Sequence, residues 1–157
     1  MKIESVMTKN PKTLKKNDKL EKVLKILAEK KISGCPVVDS KKKVIGVITQ
    51  TDILKIIDVH SKIIRTGTDF FSLLLSVLQD KKYDEMKEAL KSVLKLKAGN
   101  FMNKKVITIK ADKDLYQAIR LMNKYNISRL PVIKENKLVG IITRWDIIRA
   151  LEKLEKK

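Results

Sequence analysis

The chain has 157 residues, 43% hydrophobic and 34% charged, which suffices for one compact core or for two small halves sharing one. A single cysteine, Cys35, and a single histidine, His60, exclude an internal disulfide, a cysteine zinc cluster and most Cys/His mechanisms. The balance of 36 basic to 18 acidic residues, +18, draws phosphate-bearing partners. Yet the lysines run along the whole chain and only 4% of residues are aromatic, too few to interleave base-stacking side chains with basic groups.

The first residues, Met1 to Ser5, carry no apolar stretch of a secretory signal, so a cytoplasmic location is expected. A short extended piece around Thr13 leads to a helix with Asn17 as its expected N-cap. Leu20, Val23, Leu24 and Leu27 then recur at helical spacing and form one apolar stripe. Pro36 opens a β-branched run, a polar turn spans Asp39 to Lys43, and a second run ends at Thr49, the pattern of a hairpin. Another helix follows with Ile53, Leu54, Ile56 and Ile57 as its apolar positions.

Residues 58–100 read as a helical insert. Thr68 and Asp69 start a helix carrying Phe70, Phe71, Leu74 and Leu78; a second, Tyr83 to Lys97, carries Met86, Leu90, Val93 and Leu94, with Gly99 after its end. The longest apolar stretch, Phe70 to Leu78, falls short of the roughly 20 residues a membrane span needs, so no membrane partner is expected. The insert is read as a cap over a cleft mouth or as a dimer surface, and both remain open.

From there the order repeats. Thr108 stands where Thr13 stood, Asp112 is the expected N-cap, and Leu115, Ala118, Ile119 and Met122 form the stripe. Pro131 opens a run, Lys134 to Lys137 turns it, the next run ends at Thr143, and Ile147, Ile148, Leu151 and Leu154 mark the last helix. Ile32 to Val38 recurs 95 positions later as Ile127 to Ile133, and Val44 to Ile53 recurs 94 positions later as Leu138 to Ile147. The division this gives is 1–57 for the first repeat, 58–100 for the insert and 101–157 for the second repeat. A unit of about 50 residues cannot bury a hairpin face and two helical stripes alone, so two copies about a pseudo-twofold axis are expected, with a cleft between them.

Thr49 and Thr143 end a strand where a helix begins, a place where backbone N–H groups and the helix dipole favour an anion. Three residues on, Asp52 and Asp146 offer carboxylate oxygens to a vicinal diol. The same Thr-x-x-Asp spacing is also a capping box, which needs no ligand. Arg129 has Gly34 as its counterpart in the first repeat, so the two repeats are unequal at that position. Cys35 is read as core packing, Trp145 as cover for a hydrophobic edge or as a ring that stacks on a base, and His60 as a linker residue.

The order of elements, with Ser-x-x-Pro before the hairpin and Gly-x-Ile-Thr-x-x-Asp-Ile after it, resembles the cystathionine β-synthase (CBS) domain family, and the pair resembles a Bateman module. That resemblance implies an α+β fold of two CBS repeats, each a small sheet packed with helices. It also implies a regulatory module, not an enzyme, that binds AMP, ADP, ATP or S-adenosylmethionine in the cleft between repeats and has no catalytic cofactor. The implied ligand contacts are Thr49, Asp52, Thr143, Asp146, Arg129, Thr13, Thr108, Pro36 and Pro131. A homodimer and a separate effector protein are expected as partners. A nucleic-acid-binding basic protein and a dimerisation module without ligand are the alternatives.

Overall fold

In the computed structural model, residues 1–60 and 91–155 are described; the expected helices carrying Phe70 to Leu78 and Met86 to Leu90 lie outside them. A 3-10 turn, Ile3–Ser5, opens the chain and is followed by β1 (Thr8–Lys9), α1 (Leu20–Lys30), β2 (Gly34–Val38), β3 (Val44–Thr49) and α2 (Gln50–His60). Residues 91–94 are helical, so the helix expected to reach Lys97 stops at Leu94. Then come α3 (Ala98–Phe101), β4 (Ile109–Lys110), α4 (Leu115–Tyr125), β5 (Arg129–Lys134), β6 (Lys137–Thr143) and α5 (Arg144–Glu155). The mixture of helices with small sheets is the α+β class expected from the repeat.

The chain divides into two compact units. The first holds Met1–Thr13, Pro36–Val47 and Lys104–Lys157; the second holds Leu14–Cys35 and Ile48–Asn103. The first unit contains a four-stranded sheet in the order β1-β6-β5-β4. β5 and β6 are antiparallel through a turn in which Glu135 and Asn136 take positive φ (50° and 60°), the backbone a tight hairpin demands. β4 runs parallel to β5. The core of this unit joins Ile3, Leu115, Met122, Leu130, Val132 and Ile142, all buried. In the second unit Leu14, Leu20, Val23, Leu27, Ile48, Ile53, Ile57 and Val93 are buried. The hairpin β2–β3 gives its turn end to the first unit and its open end to the second.

Each unit contains a lead-in segment that belongs, in sequence, to the other repeat. In the first, the Ile3 and Glu4 N–H groups donate to the carbonyls of Lys113 (2.9 Å) and Ala111 (3.1 Å), and Leu115 N–H donates to Met1 (3.0 Å). In the second, the Ala98 and Gly99 N–H groups donate to Asp18 (2.7 Å) and Lys16 (2.9 Å), and Leu20 N–H donates to Leu96 (2.8 Å). These are the same three bonds at equivalent positions 95 residues apart. The main-chain correspondence between the repeats therefore extends to Met1 and Leu96, further upstream than side-chain similarity shows.

Several local expectations are corrected. The N-cap positions are Lys19 and Asp114 instead of Asn17 and Asp112; Asp114 accepts from Gln117 N–H (2.9 Å), while Asp18 accepts from Lys15 N–H (2.8 Å) and pairs with Lys22. Pro36 and Pro131 stand third in their strands, not first. Pro131 has no N–H for a neighbour, and the pairing of β4 with β5 begins one residue later at Val132. Gly99 lies inside α3, where a Cβ would come within 2.6 Å of Lys16 Cγ. His60 ends α2 instead of sitting in a linker.

The last helix also turns differently. Ile147 and Ala150 are buried in α5, whereas Ile148 and Leu151 are about half exposed and Trp145 is 71% exposed. Trp145 thus covers no edge in the described structure. Cys35 is fully buried, as expected of a packing residue.

Candidate functional site

Both Thr-x-x-Asp corners are built alike. Thr49 closes β3 and Asp52 sits in the first turn of α2. Asp52 Oδ2 accepts from the Thr49 backbone N–H (2.8 Å) and from the Thr49 hydroxyl (2.7 Å), and Asp52 N–H approaches Thr49 Oγ1 at 3.4 Å. At the end of β6 the corresponding distances for Thr143 and Asp146 are 2.8, 2.7 and 3.3 Å. The Gln50 and Arg144 N–H groups donate to the carbonyls of Ser33 and Ser128, each at 3.1 Å.

This is the reciprocal geometry of a capping box, so that reading of the spacing is realised. Each threonine hydroxyl has one hydrogen and directs it at its own aspartate. Donation from Thr49 or Thr143 to a phosphate would require that bond to be given up. Oδ1 is the oxygen of each aspartate that stands outside this box.

The corners differ in what surrounds Oδ1. Asp146 is 5% exposed, and Arg149 Nη2 lies 2.5 Å from its Oδ1. Asp52 is half-buried, and the residue three further on is the exposed Lys55; no ion pair joins the two among the described residues. Beside Asp146 a cavity of about 530 Å³ is lined by Ser5, Met7, Thr8, Arg149, Ala150 and Lys153 among others, within the volume range of small-molecule pockets. A second hollow, about 360 Å³, lies by Lys110, Asp112 and Asn136 and holds none of the expected contacts.

The remaining candidates fall as follows. Arg129 opens β5 directly opposite Thr143 in the β5–β6 register, is half-buried, and donates to Ser128 Oγ at 3.4 Å. Pro131 is opposite Ile141 and, like Pro36, fully buried. Thr108 precedes β4 and Thr13 lies between β1 and α1; both are half-buried. The structure thus brings Arg129, Thr143 and Asp146 together in one unit, with Thr49 and Asp52 in the other.

Gly140 is explained by packing: a Cβ there would run into Met7 Sδ. Arg149 and Met7 escaped the sequence reading. A cation three residues after a helical aspartate is the available signal for the first; nothing local flags the second. Among the described residues no metal-binding cluster of His, Cys, Asp and Glu occurs, and no helix is long and apolar enough to cross a membrane.

Comparison with known proteins agrees with this architecture. The CBS domain family model matches residues 3–59 and 98–153, and the chain belongs to that family. It is 38% identical over 156 residues to an uncharacterized protein of Methanocaldococcus jannaschii, covering 96% of this chain and 91% of that one. A second uncharacterized protein of the same organism is 35% identical over 152 residues, but the chain spans only 40% of its length.

Among solved structures, CBSX2 in complex with AMP superposes with a TM-score of 0.72 at 23% identity, covering 98% of both chains. The CBS domain pair of protein MJ0100, solved with 5′-methylthioadenosine and S-adenosyl-L-methionine, gives 0.69 at 26% identity, covering 100% of this chain and 98% of that one. The chain has the fold of a paired CBS module.

Proposed function

We propose that this protein is a regulatory module that binds an adenosine-containing ligand, AMP, ADP, ATP or S-adenosylmethionine, through its strand-to-helix corners and performs no chemistry of its own. The ribose diol meets Asp52 or Asp146 at Oδ1, Thr13 and Thr108 contribute surrounding contacts while the buried Pro36 and Pro131 shape the strands behind them, and Arg129 favours the second corner for phosphate. The observation that most supports this reading is Asp146: a carboxylate almost removed from solvent, fixed by Thr143, with a cavity of about 530 Å³ against it. The adenosine compounds bound by CBSX2 and by the MJ0100 pair point to the same ligand class. Ligand changes the protein's state only through unequal affinity for two arrangements, and a separate effector protein reads the result. A second copy of the chain covers the exposed row Trp145, Ile148 and Leu151 on α5.

A thermal-shift panel of AMP, ADP, ATP, S-adenosylmethionine and methylthioadenosine tests the reading. Ligand at 100 times its dissociation constant adds about 2.7 kcal/mol, and at roughly 2–4 °C per kcal/mol for a chain of this size one of the five raises the melting temperature by several degrees. The rise is lost in the Asp52→Asn, Asp146→Asn double variant. A flat panel, or an equal rise in that variant, contradicts the proposal.

A further inference from the structure

We infer that Arg149 makes the second corner selective for ligands that carry both a vicinal diol and an anionic group, so that it binds a nucleotide in preference to the neutral nucleoside. The inference rests on the proposed adenosine-ligand reading and deepens it. Its starting point is how Asp146 is satisfied. Oδ2 receives two hydrogen bonds from Thr143, and Oδ1 is held by Arg149 at 2.5 Å, so no oxygen of this buried carboxylate is idle. A diol that approaches Oδ1 competes with the guanidinium for it, and a buried carboxylate that loses its cation is strongly disfavoured.

The cation has somewhere to go. The Arg149 side chain is 64% exposed, although its carboxylate partner is only 4% exposed. It lines the cavity together with Lys153, one helical turn further along the same wall. Two cations against one carboxylate leave that wall net positive. A ligand with only a diol breaks the ion pair and returns nothing to Arg149. A ligand that also brings a phosphate gives the guanidinium a new anionic partner, which its planar fork can grip with two donors at once.

Diol and anion are therefore coupled through one side chain. The first corner lacks the device, since Lys55 stands at the equivalent position and Asp52 is more exposed. Selection by charge belongs to the second corner alone.

Titration calorimetry of the full chain with AMP and with adenosine, in an Asp52→Asn background that removes the first corner, tests this. AMP binds at least roughly ten-fold tighter than adenosine, as a charge-assisted pair implies. Arg149→Met removes that preference by weakening AMP while adenosine holds or improves. Arg149→Lys, which keeps the charge and the fold but not the fork, retains part of the preference. An AMP-to-adenosine ratio unchanged in both variants overturns the inference. If Asp146→Asn still abolishes binding in that case, the adenosine reading stands without it. Failure of the parent to bind either compound overturns the inference, and the adenosine reading falls with it only if the five-compound panel is flat as well.

Discussion

Met7 and Gly140 show how one missing atom organises the neighbourhood of the site. β1 and β6 pair with Lys9 opposite Gly140, and the Met7 thioether fills the space a Cβ would take. The same methionine lines the cavity beside Asp146. Gly140→Ala is therefore expected to lower stability by about 1 kcal/mol in urea denaturation, the low end of overpacking because the obstacle is a flexible side chain. In a Met7→Ala background the same change becomes neutral or stabilising, since alanine suits a strand better than glycine. A penalty that persists in that background would show that the glycine is needed for another reason. At this scale the sequence made Thr49, Asp52, Thr143 and Asp146 visible as a duplicated pattern. It left the direction of each hydroxyl hydrogen open, because a capping box and a ligand site use the same residues at the same spacing.

The elements were legible wherever side-chain periodicity encodes them. The stripes of α1 and α4 bury Leu20, Val23, Leu115, Ala118 and Met122 as expected, and the hairpins end at Thr49 and Thr143. The facing of α5 was not legible, because its sequence carries two apolar rows and periodicity alone does not choose which meets the core. Ala150 is buried while Ile148 is exposed. Exchange of lead-in segments was hidden for a different reason: it is made by main-chain groups, which every residue possesses. Removal of Met1–Ser5 takes away the partners of Ala111, Lys113 and Leu115. Hydrogen exchange on that truncated chain should show lost protection at the Leu115 amide and the start of α4, with α1 unchanged. Equal loss in α1, or none anywhere, would contradict the exchanged arrangement.

For the molecule as a whole, the +18 charge and the apolar row on α5 make opposing demands on self-association. Two copies repel at low salt and associate more readily once screened. Sedimentation velocity is expected to report a dimer at moderate salt, and a Trp145→Ser, Ile148→Glu variant is expected to sediment as a monomer. An unaltered dimer in that variant would place the contact elsewhere. The same charge underlies the nucleic-acid alternative, which differs in its salt response: several released counterions give a steep loss of affinity, whereas one small anion gives a shallow one.

Calorimetric titration of AMP into the full chain at about 50 and 200 mM salt is the most direct test, because it separates a built pocket from a diffuse basic field. Saturable binding that weakens only slightly over this range, and that vanishes when both aspartates become asparagine, is the expected result. Heat that survives those substitutions and collapses with salt would contradict the assignment of Asp52 and Asp146 as ligand groups.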